Sequence, residues 1–193
     1  MPTIEKDIAV GQHLLERMLD ARRRSDALFA LVKRDAIYDR PIPERHRIIF
    51  YVGHLEAFDW NLLHERALGT KSFQPELDRL FAFGIDPVGG GLPSDQSSDW
   101  PSLESVGEYV RQVRAALDER LSTAAAREGS ARDGFPLYTL LNVAIEHRLM
   151  HLETLAYMFH QLPLGRKIRR PPLSPLPCHC RWYGPLCISA IAS

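Results

Sequence analysis

Cysteine is nearly absent from this chain of 193 residues: Cys178, Cys180 and Cys187 are all it has, and all three fall in the last sixteen positions. The body therefore carries no disulfide framework, the pattern expected of a protein kept in a reducing cytoplasm. Excess charge of either sign is missing as well. Twenty-four lysines and arginines balance twenty-four aspartates and glutamates. There is no basic surplus to neutralise phosphates, so general nucleic-acid binding is not expected. Long apolar runs are missing too: no window reaches the ~18 apolar residues that mark a membrane-spanning helix. The amino-terminal MPTIEKDIAVGQ has acids early and no apolar run behind them, unlike a secretory signal. Internal repeats, a Ser-His-Asp arrangement, a phosphate-binding glycine loop and a dinucleotide fingerprint are all lacking.

What is present is an ordinary apolar share of 45%, enough for one domain with a core. Four segments repeat apolar residues at spacings of three and four, which predicts four helices. The first runs from Thr3 to Lys33, with Arg22, Arg23 and Arg24 read as a solvated face. The second begins near Pro43, where proline suits a first helical turn, and reaches Leu68, with Gly69 and Thr70 as its stop. The third enters at Pro101 and Ser102 and carries the stripe Leu103, Val106, Val110, Val113, Leu117 and Leu121. The fourth runs from Pro136 to Gln161. Residues 71–100 are rich in Gly, Pro, Ser and Asp around one short helix in FQPELDRLFAF, and form a long crossing of the kind that is often functional. These elements predict an all-α four-helix bundle over residues 1–163. The long crossing makes an up-down-down-up order the expected one. Residues 164–193 lose all helical period and read as an irregular, proline-rich tail.

The stretch IEHRLMHLE, residues 145–153, places two imidazoles on a face that should be core. Positions three or four apart share one face of a helix. The row Leu140, Ala144, His147, His151, Leu155 therefore points one way, and in the second helix so does Tyr51, His54, Phe58, Leu62. Three unpartnered imidazoles in one small core would be costly, and a divalent metal supplies a common partner. Neutral imidazole is a frequent metal ligand, and bundles build metal sites from inward side chains on facing helices. His54, His147 and His151 are thus the candidate metal ligands. Three ligands leave coordination positions open, as in catalytic sites, and the set suits Fe(II), Zn or Ni. His13, His46, His64 and His160 fall off the stripes and read as surface or capping residues. His179, between two cysteines, lacks the spacing of a zinc site. Glu56, Asp59, Glu146 and Glu153 lie near the triad but off its stripes. Each reads as a solvated charge, with Glu153 the preferred candidate to orient a ligating imidazole by accepting its other N–H.

The segments YVGHLEAFDWNLL and EHRLMHLETLAYM resemble the Gly-His and His-x-x-x-His-x-Glu segments of the DinB-like (YfiT-like) metal-binding bundles, in particular the amino-terminal domain of ergothioneine-biosynthesis sulfoxide synthases. ELDRLFAFG and PSLESVGEYVRQV are similar to the crossing and third helix of those proteins. The resemblance covers residues 5–162. It implies metal ligation by His54, His147 and His151, with Glu153 as the motif glutamate. It also implies a non-haem iron centre, which in the synthases couples a thiol to a trimethylated histidine using oxygen. Those synthases carry a second domain after the bundle that has no counterpart in this sequence. The expectation is therefore a metal-dependent bundle acting on a thiol or other small molecule, as a homodimer or with a separate partner domain. The alternative is a non-catalytic bundle with structural histidines, serving dimerisation or partner binding.

Overall fold

A computed structural model describes residues 2–82, 92–124 and 136–169. Helix α1 spans Pro2–Phe29, α2 Ile48–Leu63, α3 Pro75–Leu80, α4 Leu103–Ala124 and α5 Leu137–Gln161. Among the described residues the only β-pairing is an isolated bridge between Val32 and Lys167. No helix among them is long and apolar enough to cross a membrane.

Cross-helix contacts fix the chain directions. Going up α1, Arg17 meets Asn142, Ser25 meets Arg148 and Phe29 meets Phe159, so α1 and α5 run parallel. Arg22 meets Asp118 and Asp26 meets Arg114, so α4 runs opposite to α1. Tyr51 faces His151 while Phe58 faces His147, so α2 runs opposite to α5. The order is up-down-down-up, the arrangement the long crossing permits.

Helix α2 is the central member. Ile48, Ile49, Phe50, Tyr51, Leu55, Ala57, Trp60 and Leu63 are all buried, and they lie around its whole circumference, as expected of a helix enclosed by others. Each outer helix buries one stripe. On α1 it is Leu14, Met18, Ala21 and Ser25. On α4 it is Val106, Tyr109, Val113, Leu117 and Leu121, with Tyr109 taking the buried position expected for Val110. The Tyr109 hydroxyl donates to buried Asp78 on α3 at 2.6 Å, which gives its polar tip a partner.

The second helix starts at Ile48, not near Pro43. Its first N–H groups have their acceptors outside the helix: Ile48 N donates to Asp39 O at 3.1 Å and Ile49 N to Ile37 O at 2.8 Å. The preceding loop thus caps the helix where proline chemistry alone does not. The helix ends at Leu63, earlier than the expected Leu68, and the chain turns through Gly69 at φ 62. That left-handed conformation favours glycine. The crossing is pinned at both described ends. Asp78 is held by Tyr109 and Ser72, and Asp95 by Arg40, Arg47 and Trp100. Its glycine-rich centre, residues 83–91, lies outside the described residues. So do most of EGSARDGFP and the cysteines with His179. The start of the expected tail is built into the body. Lys33 N donates to Arg166 O, Ile168 N donates to Leu31 O, and Arg166 pairs with Asp35 and Asp39.

Candidate metal centre

His54 projects from the middle of α2, and His147 and His151 from successive turns of α5. Their Nε2 atoms converge. His54 Nε2 lies 3.2 Å from His151 Nε2, which lies 3.1 Å from His147 Nε2. One ligand atom from each ring falls within 4.8 Å of the other two. Metal–imidazole bonds of about 2.0–2.1 Å place cis ligands roughly 2.9–3.4 Å apart, so the spacing suits a shared cation. His54 and His151 are buried, and His147 is half-buried, so the cluster reaches the surface on the His147 side.

The position of His54 is set by its neighbour in the sequence. A Cβ on Gly53 would lie 2.5 Å from the Phe81 ring, so only glycine lets that ring dock on α2. Docked there, Phe81 turns its backbone carbonyl to within 2.7 Å of His54 Nδ1. A carbonyl only accepts, so Nδ1 carries the proton and the Nε2 lone pair faces the cluster. His147 is held by stacking instead. Phe58 lies parallel to its ring, with centroids 3.4 Å apart and an interplanar angle of 9°. The Nδ1 atoms of His147 and His151 are buried without a hydrogen-bond partner.

Burial drives the electrostatics. It is the main cause holding His147 down to about 3 and His151 to about 4, reinforced by the neighbouring rings and Arg148. His54 is lowered for the same first reason, against the pull of the Phe81 carbonyl. All three rings are therefore neutral near pH 7, the form that ligates metal. With His54 Nε2 unprotonated, one Nε2–H from His151 can serve only one of its two close contacts. A cation on three lone pairs satisfies all the convergent atoms together, so the residues fit a divalent metal.

The DinB superfamily matches residues 17–155, most of the described bundle and all three histidines. The chain belongs to the DinB superfamily. It is 28% identical over 136 residues to ergothioneine biosynthesis protein 1 of Neurospora crassa, covering 68% of this chain and 15% of that protein. It is 29% identical over 148 residues to the protein of the same name from Schizosaccharomyces pombe, covering 68% of this chain and 17% of that one. The chain thus spans less than a fifth of the length of these relatives.

The other residues singled out in the sequence divide clearly. Glu153 of this DinB bundle is exposed, and no hydrogen bond joins it to either α5 imidazole. The group that does accept an imidazole N–H, the Phe81 carbonyl on His54 Nδ1, has no side-chain signature and leaves no trace in the sequence. Glu56 and Asp59 are not solvated: they are 1% and 0% exposed. Both bond Arg148, itself 1% exposed, at 2.9 and 2.6 Å. Arg22 belongs to the same network and is buried, unlike the exposed Arg23 and Arg24. Burial would raise Glu56, but Arg148, Arg114 and Arg22 outweigh it and hold the carboxyl at about 2. Burial pushes Asp59 up, with Arg148 opposing and Glu56 reinforcing the shift. His64 is buried at the end of α2: its ring bonds Thr70 O, and Thr70 N and Oγ1 donate to its backbone carbonyl. His46 packs tilted against Phe50, which stacks on His54. His13 and His160 are exposed.

Proposed function

We propose that this bundle is a metal-dependent protein that holds one divalent cation on His54, His147 and His151 and presents it to a small substrate, a thiol being the leading class. The observation that carries the reading is the meeting of three neutral Nε2 atoms at 3.1 and 3.2 Å in a buried cluster. Three protein ligands leave positions open for water or substrate. Bound there, the metal would lower the pKa of a coordinated water or thiol, or activate oxygen. The chain's own residues hold and orient it. Phe81 O fixes the His54 tautomer, Phe58 fixes the His147 ring, and Phe50 and Tyr51 exclude water around the buried rings. Approach is from the side of half-buried His147. Imidazole ligation suits several metals, and Fe(II) is preferred on the resemblance to the ergothioneine-biosynthesis proteins. A thiol substrate rests on the same resemblance, and a separate chain or domain is the proposed source of the rest of the substrate pocket.

The test is anaerobic loading with Fe(II), followed by oxygen uptake with cysteine or glutathione. Thiol-dependent uptake that disappears in His151→Ala supports the reading. Bound iron with no uptake removes the oxidative chemistry and leaves hydrolysis or transfer. A second reading, a binding module with structural histidines, is favoured by Val143, Met150 and Tyr157. These lie seven residues apart on α5 and are 43%, 50% and 61% exposed. It predicts a dimer or hetero-complex in sedimentation and no stoichiometric metal.

A further inference from the structure

Arg148 follows His147 directly on α5, and its guanidinium reaches two other helices. Nη1 donates to Glu56 Oε1 at 2.9 Å and to Ser25 Oγ on α1 at 3.2 Å. Nη2 donates to Asp59 Oδ2 at 2.6 Å and to Leu55 O at 3.1 Å. Glu56 Oε1 also accepts from Arg114 of α4 at 2.7 and 3.0 Å, and Arg114 grips both carboxylate oxygens of Asp26 on α1 at 2.8 Å. All four long helices are tied at one level. That level is the metal centre's: Leu55 and Glu56 are the first and second residues after His54.

Apolar packing sets which face of α5 turns inward, and the charged tie adds a stricter constraint on its position. The side chains of α2 are buried around its whole circumference, and aliphatic cores tolerate exchange and repacking when volume is kept. The guanidinium is far less tolerant. A shift of α5 by one residue moves it by about 1.5 Å and turns it by roughly 100°, which would strand Arg148 and Asp59 as buried unpaired charges and leave Glu56 to Arg114 and Arg22 alone. The same shift would carry His147 and His151 away from His54.

We infer that Arg148 is the positioning residue of the metal centre: by bridging Glu56 and Asp59 on α2 and Ser25 on α1, it locks α5 at the register where His147 and His151 meet His54. The inference rests on the reading, proposed above, that the three histidines hold a metal. A buried polar contact used to fix register rather than to add stability is a known device.

The experiment uses the full chain with Co(II) as probe, titrated under conditions where circular dichroism shows each metal-free variant folded. Three variants are compared with the wild type. Arg148→Lys keeps the charge and loses the fork. Asp59→Asn keeps the shape and loses a charge. The triple variant Arg148→Met, Glu56→Leu, Asp59→Leu replaces the tie with apolar groups. The wild type should bind one Co(II) with a defined visible spectrum. Arg148→Lys and Asp59→Asn should bind tenfold or more weakly, with displaced visible bands. The triple variant leaves no unpaired charge at positions 56, 59 and 148, although Arg22 loses Glu56; it should melt above Glu56→Ala and still bind weakly, separating position from stability. Variants that melt earlier yet, once folded, bind Co(II) with unchanged affinity and spectrum would assign Arg148 a structural role alone and overturn the inference, while the metal reading stands. A wild type that binds no Co(II) overturns both. Should the triple variant not fold, the two single variants decide.

Discussion

Replacing Gly53 with alanine adds one methyl group where the structure has no room for it. The new Cβ would sit 2.5 Å from Cε2 and 2.6 Å from Cδ1 and Cδ2 of Phe81, against an optimal carbon–carbon separation of about 3.5–4.0 Å. The ring must retreat by about 1 Å to reach that separation. It is fully buried among Phe50, Trp100 and Tyr109, so it has nowhere free to go. Overpacking of this kind costs about 1–3 kcal/mol. Alanine returns about 1 kcal/mol of helix propensity, so the net loss is roughly 0–2 kcal/mol. The larger effect falls on the site. The backbone of Phe81 supplies the acceptor for His54 Nδ1, and loss of such an outer partner weakens metal affinity about 10–100-fold. Thermal unfolding of the metal-free protein reads the first term, and competition with a chromophoric chelator reads the second. A variant more stable than the wild type, with metal affinity unchanged, would refute the claim that Gly53 exists to seat Phe81 and so to aim His54.

In His151→Ala, the stabilisation by added metal should vanish; in the wild type it should reach about 2.7 kcal/mol at a free metal concentration one hundred times Kd, measured as a melting shift with and without metal. Acidification should weaken the metal-free fold. The unfolded chain protonates its histidines near 6.5, while folded His147 and His151 resist down to about 3 and about 4. The unfolded state therefore binds more protons, and stability falls as pH drops from 6.5 toward 4, by up to about 1.4 kcal/mol per pH unit for each imidazole. A melting curve series with the same pH slope in the wild type and in His147→Phe would contradict this, and metal should leave the loaded protein over the same range. Glu56→Ala should cost about 3–5 kcal/mol in denaturant unfolding, because it leaves Arg148 and Arg22 short of a buried partner. A loss below about 1 kcal/mol would mean that the network is hydrated and energetically slack.

The helices and the triad were legible because both depend on periodicity. His147 and His151 share a face at i, i+4, and His54 falls on the core row of α2. The start of α2 was not legible, because the acceptors for Ile48 N and Ile49 N are carbonyls of the preceding loop. Pro43, which resembles a helix opener, lies outside the helix. Glu56, Asp59 and Arg22 read as solvated in the sequence and are buried in the fold for a related reason. A charge between apolar residues reads as a solvent face unless the opposing helix is known, and α2 has almost no solvent face to offer. Arg148 supplies the compensation from 92 positions beyond Glu56. Glu153 was singled out by sequence proximity to His151, but at two residues' distance it turns to the outside of the helix. The atom that orients His54 belongs to the backbone of Phe81, and a carbonyl leaves no mark in composition or motif.

Whether the three imidazoles hold a metal is decided most directly by elemental analysis of protein purified without a histidine tag, joined to X-ray absorption at the edge of whichever metal is found. One divalent metal per chain, bound by three imidazole nitrogens at about 2.0–2.2 Å and lost from both His54→Ala and His151→Ala, is the predicted result. A wild-type protein without stoichiometric metal, or one whose metal survives both substitutions, would contradict it.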